Sequence, residues 1–311
     1  MSSLKIHRSG IASSVQDSGR AGALHLGIPP SGAMDRLALL SGQHQLGHHQ
    51  DEAAIEMAYA DFAATPADTC RMAVTGAPVC VTVDQSEIHL REPLTVRAGQ
   101  TIAIKATAEG VYSYLHVSGG VATPPQLGSR STSPRERIGG LRGRFLQDGD
   151  TLPVGPNQTE TGLEDPKLHA PASTGILWLR FVAGFQYAEF TESAIKQLLA
   201  DEFIVTAKAN RMGVTLSGAK LQSGLTALLS EATCYGAIQV PPDGNPIILL
   251  NDRQTVGGYP KPGAVIASDC LRLAQARPGQ KVRFAACRPD EADRISWLEQ
   301  HYVETRLRDV V

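Results

Sequence analysis

The sequence predicts a mainly β protein, a β-rich α+β chain arranged in two lobes. Short apolar segments bounded by turn-forming residues recur along nearly all of its 311 residues, and 30 Gly and 19 Pro supply the turns between them. Patterns of helical period are few, whereas a doubly wound parallel sheet needs regular helices after its strands.

The first strand-like segments are Leu4–His7, Ala54–Tyr59, Arg71–Thr75, Val79–Val83, Ile88–Leu90, Leu94–Val96, Thr101–Lys105 and Val111–Val117. A second set follows at Ile176–Val182, Val214–Leu216, Gly236–Val240, Ile247–Leu250, Ala264–Ile266 and Lys281–Phe284. Between the sets, Gly155–Thr174 is polar, aperiodic and carries three Pro, which predicts a linker. The expected organisation is an N-terminal lobe over residues 1–158, a linker over 159–174, a C-terminal lobe over 175–288 and a C-terminal helix over 289–311. Helical patterns cover Met34–Leu46, Thr191–Glu202, Ser268–Ala276 and Pro289–Leu307. The last opens with Pro289 and the acids Asp290, Glu291 and Asp293 near its positive end. Its Ile295, Leu298 and Tyr302 are spaced for one buried stripe.

Composition excludes several classes. With 42% hydrophobic and 19% charged residues the chain can bury one large core or two smaller ones, and its mixed charges, net −2, make no case for nucleic acid or an anionic membrane. The opening MSSLKIHRSG lacks a signal-peptide core and no later run reaches the length of a membrane span. Five dispersed cysteines without a C-x-x-C pair read as reduced thiols, so a cytoplasmic location is predicted. There is no phosphate-binding G-x-x-x-x-G-K-[ST] loop and no G-x-S-x-G elbow. Ser193–Lys196 and Ser217–Lys220 fit S-x-x-K but lack the partner motifs of that hydrolase class. His44, His48 and His49 cluster on a helix end, yet no H-E-x-x-H pattern or third ligand accompanies them, and no metal is predicted.

The richest stretch for chemistry is Tyr235–Tyr259, YGAIQVPPDGNPIILLNDRQTVGGY. Ala237–Val240 reads as a strand, Pro241–Gly244 as a turn and Ile247–Leu250 as a buried strand. Asp252, Arg253, Gln254 and Thr255 then follow the strand end, where rigid scaffolds hold binding groups. The alternative is that Asp252 and Arg253 pair with neighbours. Near the N-terminus, Asp17 and Arg20 flank Gly19, and Asp35 stands at a helix start, either as a first-turn acid or as a substrate contact. Glu56, inside an apolar run, requires a partner such as Arg20 or Arg211. Arg130, Ser131 and Thr132 offer a guanidinium and hydroxyls suited to carboxylate or phosphate, or else a turn held by local bonds. Arg211, Gln239, Asp243, Tyr259 and Lys261 complete the set.

These segments also resemble a known family. Besides Tyr235–Tyr259, the carriers are Ser14–Arg20 (SVQDSGR), Gly27–Asp35 (GIPPSGAMD), Val117–Gly120, Gly128–Thr132, Gly139–Arg144 and Asn210–Gly213. They resemble, in order, the family that holds the C subunit of 5-oxoprolinase, allophanate hydrolase subunit 2 and the second half of the urea carboxylase carboxyltransferase domain. Residues 45–49 depart from the family's usual Asn–Leu–Val–Gly–Asn. The resemblance implies two lobes with cyclophilin-like β-barrel elements. It also implies one component of an ATP-dependent 5-oxoprolinase that cleaves 5-oxo-L-proline to L-glutamate with B-like and A-like partner subunits, inactive alone. ATP is then used by the complex. An alternative is a carboxyltransferase component of a urea carboxylase type; lacking Ala–Met–Lys–Met, it would need biotin supplied in trans. A third is a non-catalytic regulatory module binding a kinase-inhibitor-like B-type partner. On both enzymatic readings charge develops on oxygen, so Arg211 with Asp252 and Asp243 is assigned to catalysis, the acids as proton acceptors. Arg20, Asp35, Arg130, Ser131, Thr132, Gln239, Arg253, Gln254, Tyr259 and Lys261 are assigned to substrate binding.

Overall fold

In β1 (Ser2–Arg8), Leu4 and Ile6 are fully buried while Lys5 and His7 face outward, the period-two alternation of a strand with one wet face. The computed structural model describes residues 2–48, 51–89, 92–156, 165, 166, 168, 175–225 and 228–308. Strands dominate, in two compact units. One comprises Met1–Gly22, Pro30–Ala170 and Val303–Val311, the other Ala23–Pro29 and Pro171–Tyr302. The expected linker lies outside the described residues except for Asp165, Pro166 and Leu168, and Leu90 and His49 lie outside them too.

The first unit continues with β2 (Ala12–Gln16), α1 (Arg36–Gln45), β3 (Ala54–Ala58), β4 (Asp61–Pro66), β5 (Cys70–Gly76), β6 (Val79–Val83), β7 (Ser86–Ile88), β8 (Leu94–Val96), β9 (Ile102–Ala106), β10 (Tyr112–Val117) and β11 (Thr151–Val154). A six-stranded sheet runs β11-β1-β4-β9-β6-β7 and a five-stranded one β2-β3-β10-β5-β8. Leu4, Ile6, Ile55, Phe62, Ile104 and Leu115, drawn from both sheets, share one apolar core. Val121 bridges Ala53 on one side and Val154 on the other, tying the sheets together.

Helix α1 packs on β5 and β10, where a Cβ on Gly42 would strike the ring of His116. His116 is buried, with Nε2 3.1 Å from the Thr75 hydroxyl. Burial, and then nearby His48, push its imidazole from 6.5 down to about 3. Between those values the unfolded chain binds a proton that the native state refuses, so stability falls as pH falls through this window. One such group gives a slope of about 1.4 kcal/mol per pH unit, hence about 2 kcal/mol between pH 6.5 and 5. Urea unfolding at pH 7 and pH 5 checks this: the midpoint should drop at pH 5 and the drop should shrink in His116→Gln. An unchanged midpoint would refute it.

The second unit contains β12 (Leu177–Ala183), α2 (Glu192–Ala200), β13 (Phe203–Asn210), β14 (Gly213–Ser217), β15 (Glu231–Ala232), β16 (Ile238–Gln239), β17 (Ile247–Leu249), β18 (Val256–Gly257), β19 (Gly263–Val265), α3 (Ala267–Ala274) and β20 (Lys281–Cys287). A seven-stranded sheet runs β16-β17-β14-β13-β20-β12-β19. Its edge strands meet through the Ala237–Ala264 bridge and the Val265 N–H, which donates to Gly236 O at 2.8 Å, so the sheet is a nearly closed barrel. Strand β12 pairs with β20 in parallel. Phe284 meets Phe181 and Phe203 edge-on, at 6.1 and 5.5 Å between ring centres. Asp269 of α3, fully buried, receives Arg180 through Nε at 2.9 Å and Nη2 at 2.7 Å.

The C-terminal α4 (Pro289–Arg308) forms as expected but buries no residue, which corrects the predicted stripe. Leu298 and Tyr302 are more than half exposed, and Trp297 stacks on His301 within the same helix at 5.3 Å. Helical spacing makes an apolar face; it does not supply an element to cover it. No helix among the described residues is long and apolar enough to cross a membrane.

Candidate functional site

The hairpin of β16 and β17 pairs Ile238 with Ile248 and Gln239 with Ile247. Its turn closes through the Gly244 N–H to Pro241 O at 2.9 Å. Asp243 sits exposed in that turn, accepting from the Asn245 backbone at 3.0 Å and side chain at 2.9 Å. Those bonds hold its carboxyl below the usual range. The structure thus gives Asp243 a turn-forming job.

Past β17, the Leu250 N–H donates to Met212 O and the Asp252 N–H to Arg211 O, each at 2.9 Å. This sets residues 250–253 beside the β13–β14 turn. Arg211 reaches Asp252 through Nε–Oδ2 at 2.7 Å and Nη2–Oδ1 at 3.0 Å, a buried bidentate pair. The guanidinium engages both carboxylate oxygens.

Arg253 has a different setting. It is 6% exposed, its Nη1 donates to Leu250 O at 3.4 Å, and its Nε has no hydrogen-bond partner among the described residues. Burial pushes its guanidinium below the ordinary value, partly offset by Cys234, Tyr235 and Cys270. Gln239, 1% exposed, likewise has an Nε2 without a partner among those residues. A Cβ on Gly257 would lie 2.5 Å from that Nε2 and 3.3 Å from Gln254 Nε2, so both amides converge where the chain has no side chain. The Thr233 hydroxyl donates to Gln254 O at 2.5 Å, and Thr233 and Cys234 line a cleft of about 600 Å³. Lys261, on the same cleft, pairs with Glu231 at 2.6 Å and donates to the carbonyl of Tyr259 at 3.1 Å; the Tyr259 side chain is partly exposed.

In the first unit Asp17 is the hub. Its carboxylate accepts from the Gly19 N–H at 2.9 Å, the Ser129 and Ser131 hydroxyls at 2.6 and 2.5 Å, and the Arg130 N–H at 2.5 Å. Arg20 donates to the Ser131 carbonyl, and the Thr132 hydroxyl donates to Val15 O at 3.0 Å. Ser131 and Thr132 are fully buried, their hydroxyls taken up by Asp17 and the Val15 carbonyl. Arg130 is half-buried and its Nε has no partner among the described residues. Asp35 caps α1 by accepting the Ala38 N–H at 3.0 Å. Its own N–H donates to the Tyr114 hydroxyl at 2.7 Å, which donates to Glu56 Oε2 at 2.7 Å. Glu56 also accepts the Met34 N–H at 2.8 Å. Burial first, then Glu56 and Asp35, push the Tyr114 phenol well above its ordinary range. Among the described residues no group of His, Cys, Asp and Glu is placed to hold a metal ion.

Sequence reasoning did not single out Gln186, Glu231, Thr233, Cys234 or Tyr114. The first four reach the cleft only through barrel closure. Tyr114 hides in an apolar strand whose residues are all buried.

The family model for the carboxyltransferase domain, subdomain A and B, matches residues 26–286. The C subunit of the Escherichia coli 5-oxoprolinase is 34% identical, with 97% of this chain and 96% of that protein covered. Its counterpart from Haemophilus influenzae is 34% identical over 96% and 95%. The solved urea amidolyase of K. lactis superposes with a TM-score of 0.89 at 25% identity, covering 98% of this chain but 20% of that one. A nearly closed barrel, strand-end arginines and this extended similarity agree: the chain belongs to the carboxyltransferase-domain family whose members include the C subunit of 5-oxoprolinase.

Proposed function

We propose that the chain is the C subunit of an ATP-dependent 5-oxoprolinase, which opens the lactam of 5-oxo-L-proline to L-glutamate. The observation that carries this is the similarity to two free-standing C subunits over at least 95% of their length, against a fifth of the urea amidolyase. The site chemistry supports it. 5-Oxo-L-proline carries a carboxylate at neutral pH, and the second unit offers buried N–H donors from Arg253 and Gln239 that suit an anion. ATP phosphorylates the lactam carbonyl oxygen and releases ADP, then water adds to the activated carbon and the ring C–N bond breaks to free the amine. A second water hydrolyses the resulting acyl phosphate to L-glutamate and phosphate, with B-like and A-like subunits as partners and the chain inactive alone.

The test is glutamate release from 5-oxo-L-proline and ATP by this chain co-expressed with those partners. ATP-dependent release by the complex, with none from the chain alone, is expected. An assembled complex that releases no glutamate overturns the proposal. The family model favours a second reading, carboxyl transfer from a biotin supplied in trans, which that complex would then be assayed for.

A further inference from the structure

The barrel supplies two of its other arginines with acids: Arg180 has Asp269 and Arg211 has Asp252. Arg253 has none among the described residues. The groups acting electrostatically on it are Cys234, Tyr235 and Cys270, no carboxylate among them, and its one side-chain bond is the long contact to Leu250 O. Burying a guanidinium this way is costly, and folding alone gives no return for it.

A second observation is independent of the charge. The Gln239 amide is buried with its Nε2 unpartnered, and Gly257 is what leaves it room. Gly257 has no positive φ, so its lack of a side chain serves space, not backbone conformation. The 233–235 segment neighbours both: Thr233 borders Gly257 as the Gln239 amide does, and Cys234 and Tyr235 lie within electrostatic reach of Arg253, with Thr233 and Cys234 lining the cleft that the two donors themselves do not line. Unused buried donors next to the segment that walls a cleft call for an acceptor-rich anion, and a planar guanidinium fork matches a carboxylate.

We propose that Arg253 and Gln239, with Gln254, form a subsite for the carboxylate of a small cyclic-amide acid. The inference rests on the 5-oxoproline reading and adds which end of the substrate this chain grips: the ring carboxylate, so that specificity against uncharged amides resides here. A site that pairs a substrate charge rejects the analogue lacking it because its own donors are left unpaired.

The test compares 5-oxo-L-proline with unsubstituted pyrrolidinone, the same lactam without a carboxylate, in the assembled complex. The wild type should prefer the acid by at least about 100-fold. Arg253→Met should lose about 100-fold in kcat/KM for the acid, chiefly through KM, with pyrrolidinone turnover and the KM for ATP unchanged. Its melting temperature should equal or exceed that of the wild type, because an uncompensated buried cation is removed. A variant that keeps its KM for the acid overturns the proposal. So does one that raises the KM for ATP instead, assigning the donors to phosphate, or one that melts lower and loses both lactams equally. If the wild-type complex does not turn over 5-oxoproline, the 5-oxoproline reading fails separately. The subsite is then judged by titrating acetate against the Arg253 Nε–H resonance of the chain. A saturable shift that Gln239→Leu weakens sustains it, and no shift overturns it.

Discussion

Exchanging Asp252 for Asn should destabilise the folded protein by about 3–5 kcal/mol, the cost of leaving one member of a buried ion pair without its partner. Both side chains of the Arg211–Asp252 pair are 8% exposed, so water cannot stand in for the lost carboxylate. Arg211→Met should cost a similar amount for the converse reason. The double variant Arg211→Met/Asp252→Leu should lose far less than the sum, since apolar replacement of a whole pair is often close to neutral. Urea unfolding of the four proteins measures this; single variants within about 0.5 kcal/mol of wild type would refute the assignment. The loss would reach function as well. The same pair fixes residues 250–253 against the β13–β14 turn, and that segment ends in Arg253.

Asp17→Ala should be comparably severe in the first unit, at about 4 kcal/mol, because it strands donors grouped around one buried carboxylate. Asp17→Asn should cost about half as much. The Ser129 and Ser131 hydroxyls can turn toward the amide oxygen, but the Gly19 and Arg130 N–H groups are fixed and one must face the new NH2. Thermal unfolding checks both; an Asp17→Ala melting point within a degree or so of the wild type would exclude the hub role.

Legibility tracked side-chain alternation. Val79–Val83 and Leu94–Val96 are β6 and β8 as read, because apolar residues there meet turn residues at both ends. The hairpin around Pro241–Gly244 was equally legible from its turn chemistry. Strand β2 was not: ASSVQ looks like a loop, yet Ser13, Ser14 and Gln16 are buried, with polar groups bonded inside the sheet region. Strand β13 was missed because its alternation, Phe203 and Val205, gives way to the polar Lys208 and Asn210. At the site, residue types were legible but pairings were not. Asp252 and Arg253 are neighbours in sequence, yet one binds Arg211 across 41 positions and the other has no acid among the described residues. Only barrel closure decides which is which.

The parallel pairing of β12 with β20 joins the first strand of the barrel to its last, and β20 also pairs with β13. The second unit is therefore a structure of high contact order, whose central seam is the last of the barrel's own strands to be synthesised. Until Lys281–Cys287 emerges, β12 and β13 lack the neighbour that unites them, and Phe181 and Phe203 lack Phe284. A nascent chain cut short at that seam loses the middle of its sheet rather than an edge. The barrel, and with it every donor grouped on its hairpin end, arrives late and all at once.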